Sequence, residues 1–303
     1  MEKREIIEEI KRLKKEKNAV ILAHSYQNIE IDEVADFVGD SLELSRKAKN
    51  TDASTIVFCG VYFMAETAKL LSPEKTVLIP KKEASCEMAD MINGEKLKEF
   101  KALHPSAPVV CYINSTAEVK SLSDICCTSS NALKIVKSVE SKDILFVPDR
   151  NLAAYVQSQI PEKNIIPFYG CCPIHDQLRV NDVISQKEQH KNAVVLAHPE
   201  CKKEVLDKAD FIGSTKSIFE YVKTSDYDEY IIATELGVVE RLQRDYPDKK
   251  FWLINPKAVC RNMKYITLED VLKSLQNGLF EVELSQDTQQ KAALTIEQML
   301  KIN

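Results

Sequence analysis

The chain begins with a charged segment in which Ile6, Ile7, Ile10 and Leu13 recur at helical spacing, the pattern of an amphipathic helix. Residues 20–23 follow as an unbroken apolar run that ends at His24. A run with no polar alternation is the pattern of a strand buried on both faces. The pattern then predicts a short helix, a short strand at 36–38 and a helix opening at Ser41. A strand at 55–58, a helix near 64–71 and a strand at 76–79 complete the unit. Apolar strands alternating with helices point to a small parallel sheet covered on both faces, a three-layer αβα sandwich.

This unit recurs. Asn18-Ala-Val-Ile-Leu-Ala-His24 returns as Asn192-Ala-Val-Val-Leu-Ala-His198, and the segment 34–41 returns as 208–215. A weaker middle copy carries Val109-Val-Cys-Tyr112 and then the segment 123–129. The offsets are 88 residues from the first copy to the second and 86 from the second to the third. Similarity that stays in register over so many features indicates triplication. The expected organisation is three α/β repeats over 1–104, 105–191 and 192–303, the last with added C-terminal helices, arranged about a pseudo-threefold axis around a central cavity.

In open parallel sheets, ligands bind beyond the carboxyl ends of the strands. The unusual residues of this chain fall at such ends in all three copies. The first strands end in His24-Ser-Tyr26, Tyr112-Ile-Asn114 and His198-Pro-Glu200. The last strands lead through a proline to Cys86, Cys172 and Cys260, spaced 86 and 88 residues apart. Three thiolates from equivalent loops form a trigonal ligand set suited to zinc or to an iron–sulfur cluster. A cluster held by three cysteines leaves one iron open as a Lewis acid. Cys171 competes locally with Cys172, and only the repeat register favours Cys172. Cys59, Cys111, Cys126 and Cys127 lie in or beside strands and read as core.

Ser41, Ser129 and Thr215 are expected to open helices directly after strands. Ordinary capping accounts for such residues, yet a helix start at a strand's carboxyl end is also an anion site. His24, Tyr26, Tyr112, Asn114, His175, His198 and Glu200 complete a polar set rich in proton-transfer groups. His104 and His190 fall near helix ends on the opposite side and read as structural.

Composition narrows the function classes. The 303-residue chain carries a net charge of −5, with no basic excess that would make nucleic acid its main partner. Its charged first residues are unlike a signal peptide, and no apolar run reaches membrane-spanning length, so a cytoplasmic protein is expected. Nine cysteines, an odd number in a large chain, argue against a disulfide framework. Neither GxGxxG nor GxxxxGK[ST] occurs, so the helix starts have to serve any phosphate or carboxylate.

These motifs together resemble quinolinate synthase. The resemblance rests on His24-Ser-Tyr-Gln27, the segments 35–41 and 58–66, Tyr112-Ile-Asn114, His198-Pro-Glu-Cys201 and Gly213-Ser-Thr215, and runs from about Asn18 to Gly278. It implies a triangular three-domain fold around a 4Fe–4S cluster bound by Cys86, Cys172 and Cys260. It also implies condensation of iminoaspartate with dihydroxyacetone phosphate to quinolinate, the precursor of NAD, with loss of phosphate and two waters. His24, Tyr26, Ser41, Tyr112, Asn114, Ser129, His175, His198, Glu200 and Thr215 match the family's active-site positions. Tyr62 departs, standing where the family pattern has histidine. Cys260-Arg-Asn-Met-Lys264 has a single cysteine where some members have more. A homodimer is compatible with the resemblance.

Two readings from other classes remain beside it. One is a different hydro-lyase with the same kind of three-cysteine cluster. The other is a non-enzymatic sensor or a protein with structural zinc, although a structural zinc site has four closed ligands.

Overall fold

The triplication read from the sequence returns as three four-stranded, all-parallel sheets of identical strand order in a computed structural model that describes residues 2–302. The first sheet contains β1 (Ala19–His24), β2 (Phe37–Gly39), β3 (Thr55–Cys59) and β4 (Thr76–Leu78), ordered β2-β1-β3-β4. The second contains β5 (Val109–Tyr112), β6 (Ile125–Cys127), β7 (Asp143–Val147) and β8 (Asn164–Pro167), ordered β6-β5-β7-β8. The third contains β9 (Val194–Ala197), β10 (Phe211–Ile212), β11 (Glu229–Ala233) and β12 (Lys250–Leu253), ordered β10-β9-β11-β12. Helices alternate with the strands throughout, as the two periodicities require. Observed strand bounds differ from the expected ones by one or two residues.

One contact recurs with the repeat and sets its register. The Asp36 carboxylate accepts from the Ile21 N–H at 2.8 Å, Asp124 from Val109 at 2.7 Å and Asp210 from Val195 at 2.8 Å. Each aspartate lies just before the outer strand of its sheet and ties that strand's entry to the central one. Because the aspartates are solvent-exposed, each such bond contributes about 0.5–1.5 kcal/mol, and it favours this register over a one-residue slip.

The chain's end returns to the first two units. Met263, Ile266, Leu268, Val271 and Leu275 enter the core of the first sheet, together with Ile6, Ile10 and Leu13 of the N-terminal helix Lys3–Glu16. Helix Leu268–Asn277 is held at its start by a Thr267/Asp270 capping box and ends at Gly278, whose φ of 69° suits glycine. Ala292, Ile296 and Met299 of helix Gln286–Lys301 enter the core of the second sheet. The third unit is thereby fastened to both others. Between the first and third units, buried Arg241 donates to the Ser25 and Gln27 carbonyls at 2.8 and 3.1 Å and pairs with Asp32 at 2.5 Å. It holds the loop that follows β1. Among the described residues no helix is long and apolar enough to cross a membrane.

Candidate active site

The carboxyl ends of the three sheets line one cavity of about 630 Å³. Its wall includes Cys86, Cys172 and Cys260, and the exposed residues Glu87, Pro256, Lys257 and Arg261 stand at its rim. Every residue singled out at strand ends from the sequence lines it: His24, Tyr26, Ser41, Tyr112, Asn114, Ser129, His175, His198, Glu200 and Thr215. Cys171, in contrast, is absent from the lining and buried beside Met91. Cys59, Cys111, Cys126, Cys127 and Cys201 are fully buried in the cores. Tyr62 packs half-buried against the first core and does not line the cavity. His104 and His190 end helices away from it, and His190 stacks on Trp252 at 3.8 Å.

The three cysteine loops share one local design. Cys86 and Cys172 stand at the N-caps of the short helices Glu87–Asp90 and Pro173–Asp176, and Cys260 precedes the turn Asn262–Lys264. Backbone N–H groups of Met88 and Ala89, of His175, and of Asn262 and Met263 donate to the respective sulfurs. Burial pushes the Cys86 thiol up to about 12 and Cys260 up to about 11, and raises Cys172 well above the usual thiol range. Each sulfur therefore keeps its proton at neutral pH. Glu235 accepts from the Cys260 N–H at 3.1 Å and the Gly237 N–H at 2.6 Å, and braces the third loop.

From Cys172, whose sulfur lies 3.2 Å from His175 Nδ1, a continuous hydrogen-bonded chain drawn from all three units runs along the cavity wall. The Tyr112 hydroxyl donates to Glu200 Oε1 at 2.6 Å, and Glu200 Oε2 meets His175 Nδ1 at 2.7 Å. His175 Nε2 meets the Thr234 hydroxyl at 2.8 Å, which meets the Tyr26 hydroxyl at 2.8 Å. Tyr26 ends on Thr215 Oγ1 at 3.1 Å. Burial opposes ionisation of Glu200, but the neighbouring His198 and His175 and the hydrogen bonds from His175 and Tyr112 outweigh it and hold the carboxyl down at about 2. Burial, with the nearby Glu200 charge, raises both phenols well above their usual range, so they stay protonated.

Two histidines repeat one another. The Tyr26 N–H donates to His24 Nδ1 at 3.2 Å and the Glu200 N–H donates to His198 Nδ1 at 3.4 Å. With Nδ1 accepting, each ring carries its proton on Nε2. His198 donates that proton to Ser129 Oγ at 3.3 Å. Burial lowers His24 to about 3 and His198 to about 4, so both are neutral imidazoles at pH 7.

The helix starts differ from the sequence reading in an instructive way. Ser41 and Thr215 are the first residues of their ten-residue helices, but the caps are the residues before them. Asp40 accepts from the Leu42 and Glu43 N–H groups, and Ser214 accepts from the Ser217 N–H. Capping therefore does not account for the hydroxyls of Ser41 and Thr215. Ser129 does not open a helix. It sits in a turn closed by the Thr128 N–H donating to Asn131 Oδ1 at 2.6 Å, and the helix starts at Ala132. The caps are joined across the units, with Ser130 Oγ donating to Asp40 at 3.0 Å and 2.8 Å from Ser214 Oγ. Asn114 Oδ1 is buried at the cavity with no protein partner, an acceptor left for a ligand.

Sequence reasoning missed Thr234 and Glu235. Both follow the end of β11 directly, and their place just past a strand's carboxyl end was the available signal. Cys172 Sγ, His175 Nδ1 and a Glu200 oxygen lie within 4.8 Å of one another, a group able to hold a metal.

Comparison with known proteins agrees with this geometry. Residues 8–301 match the family described as quinolinate synthetase A protein. The chain is 52% identical over 302 residues to quinolinate synthase of Alkaliphilus metalliredigens, covering all of both chains. It is 51% identical to quinolinate synthase 2 of Methanosarcina acetivorans, covering 100% of this chain and 97% of that one. It is 48% identical to quinolinate synthase of Thermodesulfovibrio yellowstonii over 98% of each. The chain belongs to the quinolinate synthetase A family and is an enzyme.

Proposed function

We propose that the protein condenses iminoaspartate with dihydroxyacetone phosphate to give quinolinate, one phosphate and two waters, a reaction of NAD biosynthesis in which atoms balance without an oxidant. The observation that carries this reading is the chain Tyr112–Glu200–His175–Thr234–Tyr26 lining one cavity together with three in-register cysteines, one of which, Cys172, it touches through His175. The cysteines suit a 4Fe–4S cluster. They come from equivalent loops, each sulfur receives backbone N–H donors, and they are not the group that closes within 4.8 Å as ligands of a single ion do. Such a cluster supplies one iron without a protein ligand, a Lewis acid inside the cavity.

The chain's own residues do the rest. Iminoaspartate becomes a carbon nucleophile by losing a proton from the methylene beside its imine carbon, and ionised Glu200 is the acceptor held nearest the tyrosines. Each dehydration needs a proton delivered to the departing hydroxyl and one removed from the neighbouring atom, nitrogen where the ring closes and carbon in the other step. Tyr26 and Tyr112, kept protonated by burial, are the donors at the two ends. His175 and Thr234 pass protons between them, while neutral His24 and His198 donate through Nε2 to substrate oxygens. The starts of helices Ser41–Asn50 and Thr215–Thr224 hold carboxylates or the phosphate, with Asn114 accepting from a substrate donor. Lys257 and Arg261 at the rim draw the anionic substrates in.

The test is an anaerobic assay of iron- and sulfide-reconstituted protein with both substrates. Quinolinate and phosphate should appear in equal amounts. Phosphate release without quinolinate would contradict the assignment. Ser41→Ala, Ser129→Ala and Thr215→Ala variants that remain fully active would remove the anion-binding role.

A further inference from the structure

The metal-capable group in the cavity is distinct from the cysteine triplet and shares one member with it. His175 Nδ1 lies 3.2 Å from Cys172 Sγ and 2.7 Å from Glu200 Oε2, and His175 and Glu200 are buried. Neighbours orient these atoms toward a common point. Tyr112 occupies Glu200 Oε1 and leaves Oε2 turned to the histidine. The Thr234 hydroxyl faces His175 Nε2 at 2.8 Å and can accept from an Nε2–H, so the tautomer that exposes the Nδ1 lone pair to a metal has a ready partner. An oriented imidazole whose far nitrogen donates to a fixed acceptor is the usual support of a metal-binding histidine.

Thiolate, imidazole and carboxylate form a zinc-type donor set with three protein ligands and a fourth position for water. Bond lengths of about 2.0–2.3 Å place tetrahedral ligand atoms about 3.3–3.6 Å apart. The two gaps at His175 therefore open by less than about 1 Å, and the Cys172–Glu200 gap is already within 4.8 Å. We propose that the chain without its cluster binds one divalent ion of the zinc class through Cys172 Sγ, His175 Nδ1 and Glu200 Oε2. On binding, the Cys172 thiol proton and the Nδ1 proton of the His175–Glu200 hydrogen bond leave for solvent, Nε2 takes up one proton that it donates to Thr234, and two metal bonds replace the hydrogen bond. The ion and the cluster exclude one another, because both need Cys172. Only that exclusion rests on the cluster reading above; the ion site stands on the geometry of the three donors.

Zinc-edge X-ray absorption on full-length, cluster-free wild-type protein loaded with one equivalent of Zn²⁺ tests this without a variant. One sulfur near about 2.3 Å with nitrogen and oxygen ligands near about 2.0 Å is the expected shell. A shell with two or three sulfurs, or no stoichiometric binding, overturns the site. Cobalt(II) titrations followed by visible absorption give a second arm. Cys86→Ser and Cys260→Ser should keep the affinity within about threefold, whereas His175→Gln and Glu200→Gln should lose at least about tenfold. Equal losses in all four variants would overturn the proposal. Zinc-loaded protein should also fail to take up iron and sulfide until chelator is added, and a chain holding both at once would overturn the exclusion. If zinc binds as described while Cys86→Ser and Cys260→Ser still accept a full cluster, the cluster reading fails and the ion site stands.

Discussion

Replacing Thr234 by valine keeps the branched shape of a side chain with no exposure and removes a single hydroxyl. That hydroxyl makes two hydrogen bonds of 2.8 Å, to His175 Nε2 and to the Tyr26 phenol. After the change Tyr26 keeps Thr215 at 3.1 Å, but the buried His175 Nε2 has lost its partner. One buried unsatisfied group costs about 1–3 kcal/mol, so the variant should unfold at lower urea with a loss of about 2 kcal/mol. The larger effect falls on turnover, because the proton path between the tyrosines is cut. General acid–base transfer contributes about 10²–10⁴-fold, and the rate should drop within that range. Thr234→Ser restores the hydroxyl and should recover to within about tenfold of wild type. The assay is quinolinate formation under anaerobic, saturating conditions, with iron and sulfide content matched between variants. A valine variant that turns over within about threefold of wild type at equal cluster content would refute the relay.

Gly237 sits where an added Cβ would meet the Ser25 carbonyl at 2.6 Å and Tyr26 Cα at 3.0 Å. Gly237→Ala should displace the Tyr26 loop, costing about 1–3 kcal/mol in thermal denaturation and at least about tenfold in turnover. Arg241→Met removes one of the two arginines paired with Asp32 and the hydrogen bonds from Nη1 to the Ser25 and Gln27 carbonyls. A loss near the lower end of about 3–5 kcal/mol should appear in urea denaturation, since Arg244 still neutralises the aspartate. The neutral histidines make stability depend on pH in a definite direction. His24 and His198 titrate at about 3 and about 4 when folded but at about 6.5 when unfolded, so the unfolded chain binds more protons and stability falls as pH drops below about 6.5. Between about pH 7.5 and 5.5 each contributes a loss of about 1.4 kcal/mol, and His198→Asn should remove one such increment from the measured difference.

The repeat and its sheets are legible in the sequence because buried parallel strands are continuous apolar runs, with little to confuse them over four residues. The register of Cys86, Cys172 and Cys260 picked out the cavity-lining member of the Cys171–Cys172 pair for the same reason, since equivalent positions in equivalent units face one centre. Ser129 misled because Thr128-Ser-Ser130 has the composition of a helix start, while the Asn131 side chain turns back to the Thr128 N–H and delays the helix to Ala132. Thr234 was illegible because its importance lies in contacts with Tyr26 and His175, residues 208 and 59 positions away. A hydroxyl after an apolar strand is commonplace, and only the packing of three units gives this one two partners. Glu235 was hidden likewise, since bracing the Cys260 loop depends on tertiary contact.

Mössbauer spectroscopy of the ⁵⁷Fe-reconstituted chain, recorded with and without quinolinate, tests the central claim most directly. On the proposed function, three cysteines from equivalent loops would leave one iron of a four-iron cluster without a protein ligand, inside the cavity that Glu200 and the tyrosines line. The account predicts a signal from about one iron in four that shifts when quinolinate is added, and loss of the whole cluster signal in Cys172→Ala. Four equivalent irons that ignore quinolinate, or a fully loaded Cys172→Ala protein, would contradict it.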